Sequence, residues 1–275
     1  MTARWILLRG LTREAGHWGP FARMLERRSG APVEAIDLPG NGRHCRAQSP
    51  WQVPAMAESV RRQATRGAPP IVIAMSLGAM VAIEWGRQAP HELAGCVLVN
   101  ASAGGLNPFW QRLQPRNYPA LARMFLPGLS PLAREKRVLR MTSARPWQHE
   151  GVPQTWAQLA ELRPVSPANA WRQLWAAARY RAAAAGPPVP LLLLASRGDR
   201  LVSAECSRRL AECWAAPLQV HDWAGHDLPM DHPEWVAEQV LSWSRRLPRP
   251  DAGVTEVPRE RHEPVILAPH TAGHR

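Results

Sequence analysis

A chain of 275 residues that is 45% hydrophobic and 20% charged has enough apolar material for one large domain with a buried core, which excludes disorder of the whole. Its net charge of +12 is carried almost wholly by arginines scattered through every segment, with no basic block or nucleic-acid-binding motif, so nucleic acid is not an expected partner. No stretch approaches the ~20 apolar residues of a membrane helix, and the four cysteines (Cys45, Cys96, Cys206, Cys213) show neither scaffold density nor a CxxC pair. The expectation is a cytoplasmic protein with free thiols, no metal and no membrane association.

Short apolar runs alternate with amphipathic helical patterns, the signature of βαβ units and a mostly parallel sheet with helices on both faces. Trp5 to Leu8, Val33 to Ile36, Ile71 to Ala74, Cys96 to Val99, Leu191 to Ala195 and Leu218 to His221 read as strands. Helical stripes lie between them: Trp18, Phe21 and Leu25, then Met80, Ile83 and Trp85, then Trp235, Val236, Val240 and Trp243. These aromatics read as core contacts.

From 106 to 186 the strand pattern stops and proline-punctuated helical pieces take over, notably Leu132 to Met141, Gln154 to Leu162 and Ala168 to Ala185. An all-helical insertion between two parallel strands is expected to sit over their carboxyl ends as a lid, where such sheets bind ligands. The α/β core then comprises residues 1–105 and 187–247. The Pro/Arg/Glu/His-rich stretch 248–275 has little to bury and is expected to be a disordered tail.

The segment Ile71-Val72-Ile73-Ala74-Met75-Ser76-Leu77-Gly78 runs an apolar strand into a small-x-Ser-x-Gly turn ahead of a helix, the context of a nucleophile elbow. The backbone is crowded at such a turn, so the residues two before and two after the serine must be small; Ala74 and Gly78 are. Ser76 would then project at a helix amino terminus, where backbone N–H groups favour developing negative charge. Two later strands end in suitable partners: one in Ser196-Arg197-Gly198-Asp199, the other in Trp223-Ala224-Gly225-His226. This is the order nucleophile, acid, histidine. Asp222, Asp227 and Asp231 crowd the histidine loop and are alternative acids, Asp231 also reading as a helix cap. His17 reads as a helix-start residue beside Trp18.

With an Arg9-Gly10-Leu11 turn after the first strand and Asp37-Leu38-Pro39-Gly40-Asn41-Gly42 after the second, the chain resembles the α/β-hydrolase superfamily over roughly residues 4 to 246. Within it, the chain is most similar to small serine esterases and the pimeloyl-carrier-protein methyl esterases. Relatives usually carry a β-hairpin before the first parallel strand, so one sheet edge is expected to be shorter here. Where relatives have His-Gly in the oxyanion loop this chain has Arg9-Gly10.

The resemblance implies a serine hydrolase without cofactor. Ser76 is the nucleophile, His226 the general base and Asp199 the acid orienting it, with the backbone N–H groups of Leu11 and Leu77 as the oxyanion hole. A carboxylic ester of a small or medium acyl group is the expected substrate; thioesters, lactones, C–C bonds and perhydrolysis use the same residues. A non-catalytic binding protein on the same fold is the alternative from another class. An aspartate-nucleophile dehalogenase is disfavoured by the serine. Arg9 is the candidate substrate-binding residue, where a guanidinium at the pocket mouth would favour an anionic acyl end; the alternative is that it points away and pairs with a surface acid.

Overall fold

The computed structural model describes residues 4–124 and 128–247; the expected tail at 248–275 lies outside them. Six strands, β1 (Trp5–Leu8), β2 (Val33–Ile36), β3 (Ile71–Met75), β4 (Gly95–Val99), β5 (Leu191–Ser196) and β6 (Leu218–His221), form one sheet in the order β2-β1-β3-β4-β5-β6. Every pairing in it is parallel. The chain first steps outward from β1 to β2 and then returns to the other side of β1 with β3. This reversal opens a crevice at the carboxyl ends of β1 and β3, the usual ligand position in such sheets.

The strands alternate side chains between two cores, as a period of two requires. One face presents Ile6, Leu8, Val72, Ala74, Leu98 and Leu193 to a cluster that includes Val53, Met56 and Val60, and the other presents Trp5, Leu7, Ile73, Met75, Val97 and Leu194 to a cluster that includes Trp18, Phe21 and Leu25. Helices α1 (Phe21–Ser29), α2 (Val53–Gln63) and α3 (Leu77–Gln88) follow the first three strands. α2 and α3 cover the first face, and α1 covers the second through Phe21 and Leu25. Because both faces are covered, the inner strands are apolar at nearly every position, the buried Ser196 at the end of β5 being polar, and so they read as continuous runs.

Between β4 and β5 the chain is helical: α4 (Phe109–Arg112), α5 (Tyr118–Met124), α6 (Pro131–Thr142), α7 (Val152–Leu162) and α8 (Pro167–Arg179). Ser130 and Ser166 cap α6 and α8, each accepting a backbone N–H with proline at the first helical position. The alanine run 182–185, expected to be helical, is not. The chain leaves α8 at Tyr180 to pair with Gly104, whose N–H donates to the Tyr180 carbonyl and whose carbonyl accepts from Ala182 N–H. This pairing outweighs alanine's helix propensity. Helices α9 (Ala204–Cys213), α10 (Leu228–Asp231) and α11 (Pro233–Ser244) complete the fold, α9 on the first face and α11 on the second. No described helix is long and apolar enough to cross a membrane.

Candidate active site

Ser76 stands directly between β3 and α3 with φ 56° and ψ −118°, a backbone conformation that costs a non-glycine residue about 1–3 kcal/mol. Ser76 N–H donates to the Val99 carbonyl on the neighbouring strand, and its own carbonyl accepts from Ala79 and Met80, so the sheet and helix hold the turn from both sides. The small residue two positions on is a steric requirement: a Cβ on Gly78 would lie 2.6 Å from the carbonyl oxygens of both Leu8 and Arg9. The loop after β1 therefore packs against the elbow. A Cβ on Gly10 would come within 3.1 Å of Ser76 Cβ and 3.5 Å of its Oγ. Among the described residues, the Leu11 and Leu77 N–H groups and the Ser76 hydroxyl have no hydrogen-bond partner in the protein.

Asp199 and His226, from the loops after β5 and β6, meet in a buried pair with Nδ1 2.7 Å from Oδ2. A carboxylate can only accept, so Nδ1 carries the proton in this contact, which leaves Nε2, on the far side of the ring, as the acceptor of the neutral tautomer. The other carboxylate oxygen accepts from the Leu201 and Val202 N–H groups at 2.8 and 2.9 Å, which fixes the acid. No hydrogen bond joins His226 Nε2 to Ser76 among the described residues.

The rival acids are each engaged elsewhere. Asp222 sits on the surface near Arg197. Asp231 accepts from Ser143 Oγ, Ala144 N–H, Gly225 N–H and His149. Asp227 binds Arg9 in a two-pronged pair of 2.9 and 2.5 Å.

That last pair corrects the placement of Arg9 at a pocket mouth. Its side chain is buried, lies over the Trp18 ring and spends both terminal nitrogens on Asp227, so it has no free fork to offer a ligand. It instead links the loop after β1 to the residue that follows His226.

A model of the alpha/beta hydrolase family matches residues 5–239. The chain belongs to this family. The hydrolase is 29% identical over 216 residues to a pimeloyl-[acyl-carrier protein] methyl ester esterase of Methylococcus capsulatus, covering 75% of this chain and 80% of the relative. Its fold superposes on a Mycobacterium tuberculosis protein described as a non-heme bromoperoxidase with a TM-score of 0.72 at 19% identity, covering 90% of this chain and 94% of the other. A thermophilic esterase from Thermogutta terrifontis gives 0.66 at 20% identity, covering 88% and 89%.

Several residues that hold the hydrolase's site together escape a reading of the sequence. Asn100, just after β4 at φ 45°, accepts from Ser196 N–H and donates to the His226 carbonyl at 2.8 Å, joining the acid-bearing and histidine-bearing strand ends. The only local signal is an asparagine at a strand end, a residue type tolerant of positive φ. Gln173 of α8, fully buried, accepts from Thr12 N–H and donates to Asn41 and Ser49, tying the insertion to the loops after β1 and β2. The turn after β2 is itself organised by Asp37, whose carboxylate accepts from Ala15 and Arg43 N–H; a Cβ on Gly42, at φ 50°, would collide with that carboxylate.

A cavity of about 280 Å³ opens between the loop after β1 and the insertion, walled by residues from Leu11 to His17 and by α5 to α8. His17 is buried against it, and its pKa is driven well below the ordinary value by burial, then by the charges of Arg13, Arg9 and Arg163. The ring is therefore neutral, with Nε2 accepting from Arg13 at 2.7 Å.

Proposed function

We propose that the chain is a carboxylic-ester hydrolase that works through a serine-bound acyl intermediate. Ser76 Oγ attacks the acyl carbonyl as His226 Nε2 takes its proton. Asp199 holds the Nδ1 tautomer and stabilises the imidazolium that forms. The Leu11 and Leu77 N–H groups receive the oxyanion, and His226 returns the proton to the departing alkoxide. Water, activated by the same imidazole, then releases the acid and restores the serine.

The observation that carries this reading is the buried Asp199–His226 pair with its free Nε2, at the same carboxyl end of the parallel strands as a serine held at positive φ beside two unpartnered N–H groups. A strained backbone persists only where its surroundings enforce it, and such strain clusters at functional sites. The open Ser76–His226 contact is compatible with the role, since catalytic hydrogen bonds in ligand-free enzymes often tighten only with substrate bound. The name of the Methylococcus relative supplies the precedent for an ester bond. Residues 106–186 act as a lid over the carboxyl ends of the strands, consistent with the cavity beneath them.

The deciding experiment is labelling with a fluorophosphonate probe, coupled to hydrolysis of a graded series of acyl esters. Wild type is expected to label and to turn over esters of small and medium acyl groups, and Ser76→Ala to do neither. Labelling that survives in Ser76→Ala would remove the nucleophile assignment.

A further inference from the structure

The cavity beside the loop after β1 carries an imbalance that the proposed chemistry does not use. Its wall is largely apolar, with Leu11, Leu121, Pro131, Leu159, Val165 and Pro167 among its residues. Its charged residues cancel in pairs except one. Arg13 is bound to Glu135 at 2.6 Å, Arg163 grips Glu14 at 2.8 and 2.5 Å, and His17 is neutral. Arg134 of α6 remains. Its Nε is buried without a hydrogen-bond partner, and the side chain makes no ion pair among the described residues. With Nε buried and unpaired beside apolar side chains, and only its terminal nitrogens left to solvent, this half-buried guanidinium has donors to spend on an anion.

We propose that this cavity holds an acyl chain whose far end is a carboxylate, and that Arg134 reads that carboxylate. Leu11 is the geometric link. Its N–H is the proposed oxyanion donor, its neighbour Gly10 abuts the Ser76 hydroxyl, and Leu11 itself lines the cavity. An acyl carbonyl seated at Leu11 N–H would extend its chain along the apolar wall toward Arg134. At about 280 Å³ the cavity lies near the small end of the ~300–1,000 Å³ range of ligand pockets, which suits a short or medium chain. Charge selects the end group: the site is left with a single uncompensated positive charge, which a carboxylate balances and a phosphate monoester, at about −1.5 to −2, exceeds. A planar guanidinium also matches a carboxylate with two parallel bonds.

The substrate class is then a monoester of a dicarboxylic acid. Hydrolysis adds water across the ester C–O bond to give the dicarboxylate and an alcohol, releasing one proton at neutral pH. This assignment rests on the esterase reading for the orientation of the chain, whereas the anion site itself can be tested without turnover.

Two measurements on the full chain separate the possibilities. In calorimetry with Ser76→Ala, hexanoate is expected to bind at least about tenfold more tightly than its neutral isostere hexanamide, and Arg134→Met to erase that preference while Arg134→Lys keeps part of it. In turnover with the wild-type serine, a monoester bearing a terminal carboxylate is compared with its methyl-capped counterpart. The ratio of their kcat/KM values is expected to fall about tenfold or more in Arg134→Met, through KM rather than kcat. If hexanoate discrimination depends on Arg134 but no ester is cleaved, the anion site stands and the esterase reading fails. If esters are cleaved but hexanoate and hexanamide bind alike, or Arg134→Met changes both substrates by one factor, the anion site is overturned. Inorganic phosphate displacing hexanoate at a lower concentration than acetate does would overturn the carboxylate assignment.

Discussion

The sheet and the helical insertion are held in place by different forces. In the sheet, β3 and β4 are buried at every position, and the two cores on either side are almost purely apolar. The insertion's own cluster of buried side chains is only Val138, Leu139 and Trp156. Among the described residues, all the exposed large apolar side chains except Trp51 lie in it, including Phe109, Trp147 and Leu162. Apart from Ala176 and Tyr180, which pack into the core of the first face, what fastens it down is polar: Arg13 to Glu135, Arg163 to Glu14, Gln173 and Asn169 to the loops after β1 and β2, and Asp231 to the end of α6. Apolar packing fixes the frame that carries Ser76, Asp199 and His226, whereas directional polar ties set how the insertion meets the loops after β1, β2 and β6.

The sharpest separation of the two regions is Ser76→Ala. Turnover is expected to drop by about four orders of magnitude or more, with the melting temperature nearly unchanged, because the elbow's backbone bonds to Val99, Ala79 and Met80 do not involve the hydroxyl. A large loss of stability would mean that the hydroxyl holds the elbow.

Gly225→Ala attacks the seam between the regions. A Cβ there would lie 2.5 Å from the Thr142 carbonyl and 2.7 Å from Ala144 N, so the end of α6 must lift from the histidine loop. The Thr142 carbonyl also accepts from Asp227 N–H. The expected result is a loss of about 1–3 kcal/mol in stability together with lower kcat. Wild-type behaviour in both denaturation and turnover would show that the insertion is not clamped to His226.

Asp231→Asn tests the same seam through charge. Burial opposes ionisation of Asp231, but hydrogen bonds from His149, Ser143, Ala144 and Gly225 outweigh it and hold its pKa below the ordinary value. The folded state therefore binds the proton less readily than the unfolded chain. This group's contribution is complete above the unfolded carboxylate pKa of ~3.9 and disappears as pH falls through the folded value. Asn should cost about 1–3 kcal/mol at neutral pH and make the acid limb of the stability curve shallower. An unchanged limb in acid titrations of the melting temperature would remove Asp231 from the seam.

The smallest effect concerns His17, beneath the insertion. Its folded pKa is lowered by burial and Arg13, so it stays neutral while the unfolded chain takes up a proton below ~6.5. Stability should therefore decline as pH falls from 6.5 toward the folded value, with no contribution above it. His17→Gln, which keeps an acceptor for Arg13, should flatten the melting-temperature profile between pH 7 and 5. An equal slope in both proteins would refute it.

The sequence by itself determined the frame. All six strands were legible to within a residue or so at each end: the inner ones because a strand buried on both faces reads as an apolar run, the edge strands β2 and β6 as shorter, mixed runs. The elbow was legible because crowding at Ser76 demands a glycine two residues on, a local constraint. The extent of α8 was not, because the Gly104 pairing that ends it comes from a segment more than seventy residues away. Tertiary structure alone distributed the acids. Asp199, Asp222, Asp227 and Asp231 look alike in the chain, and only the packing of distant loops gives Asp199 to His226, Asp227 to Arg9 and Asp231 to α6. Arg9 leaves its expected place at the pocket mouth for the same reason. A charge's role depends on which partners reach it, and those partners lie as far away as the 218 positions between Arg9 and Asp227.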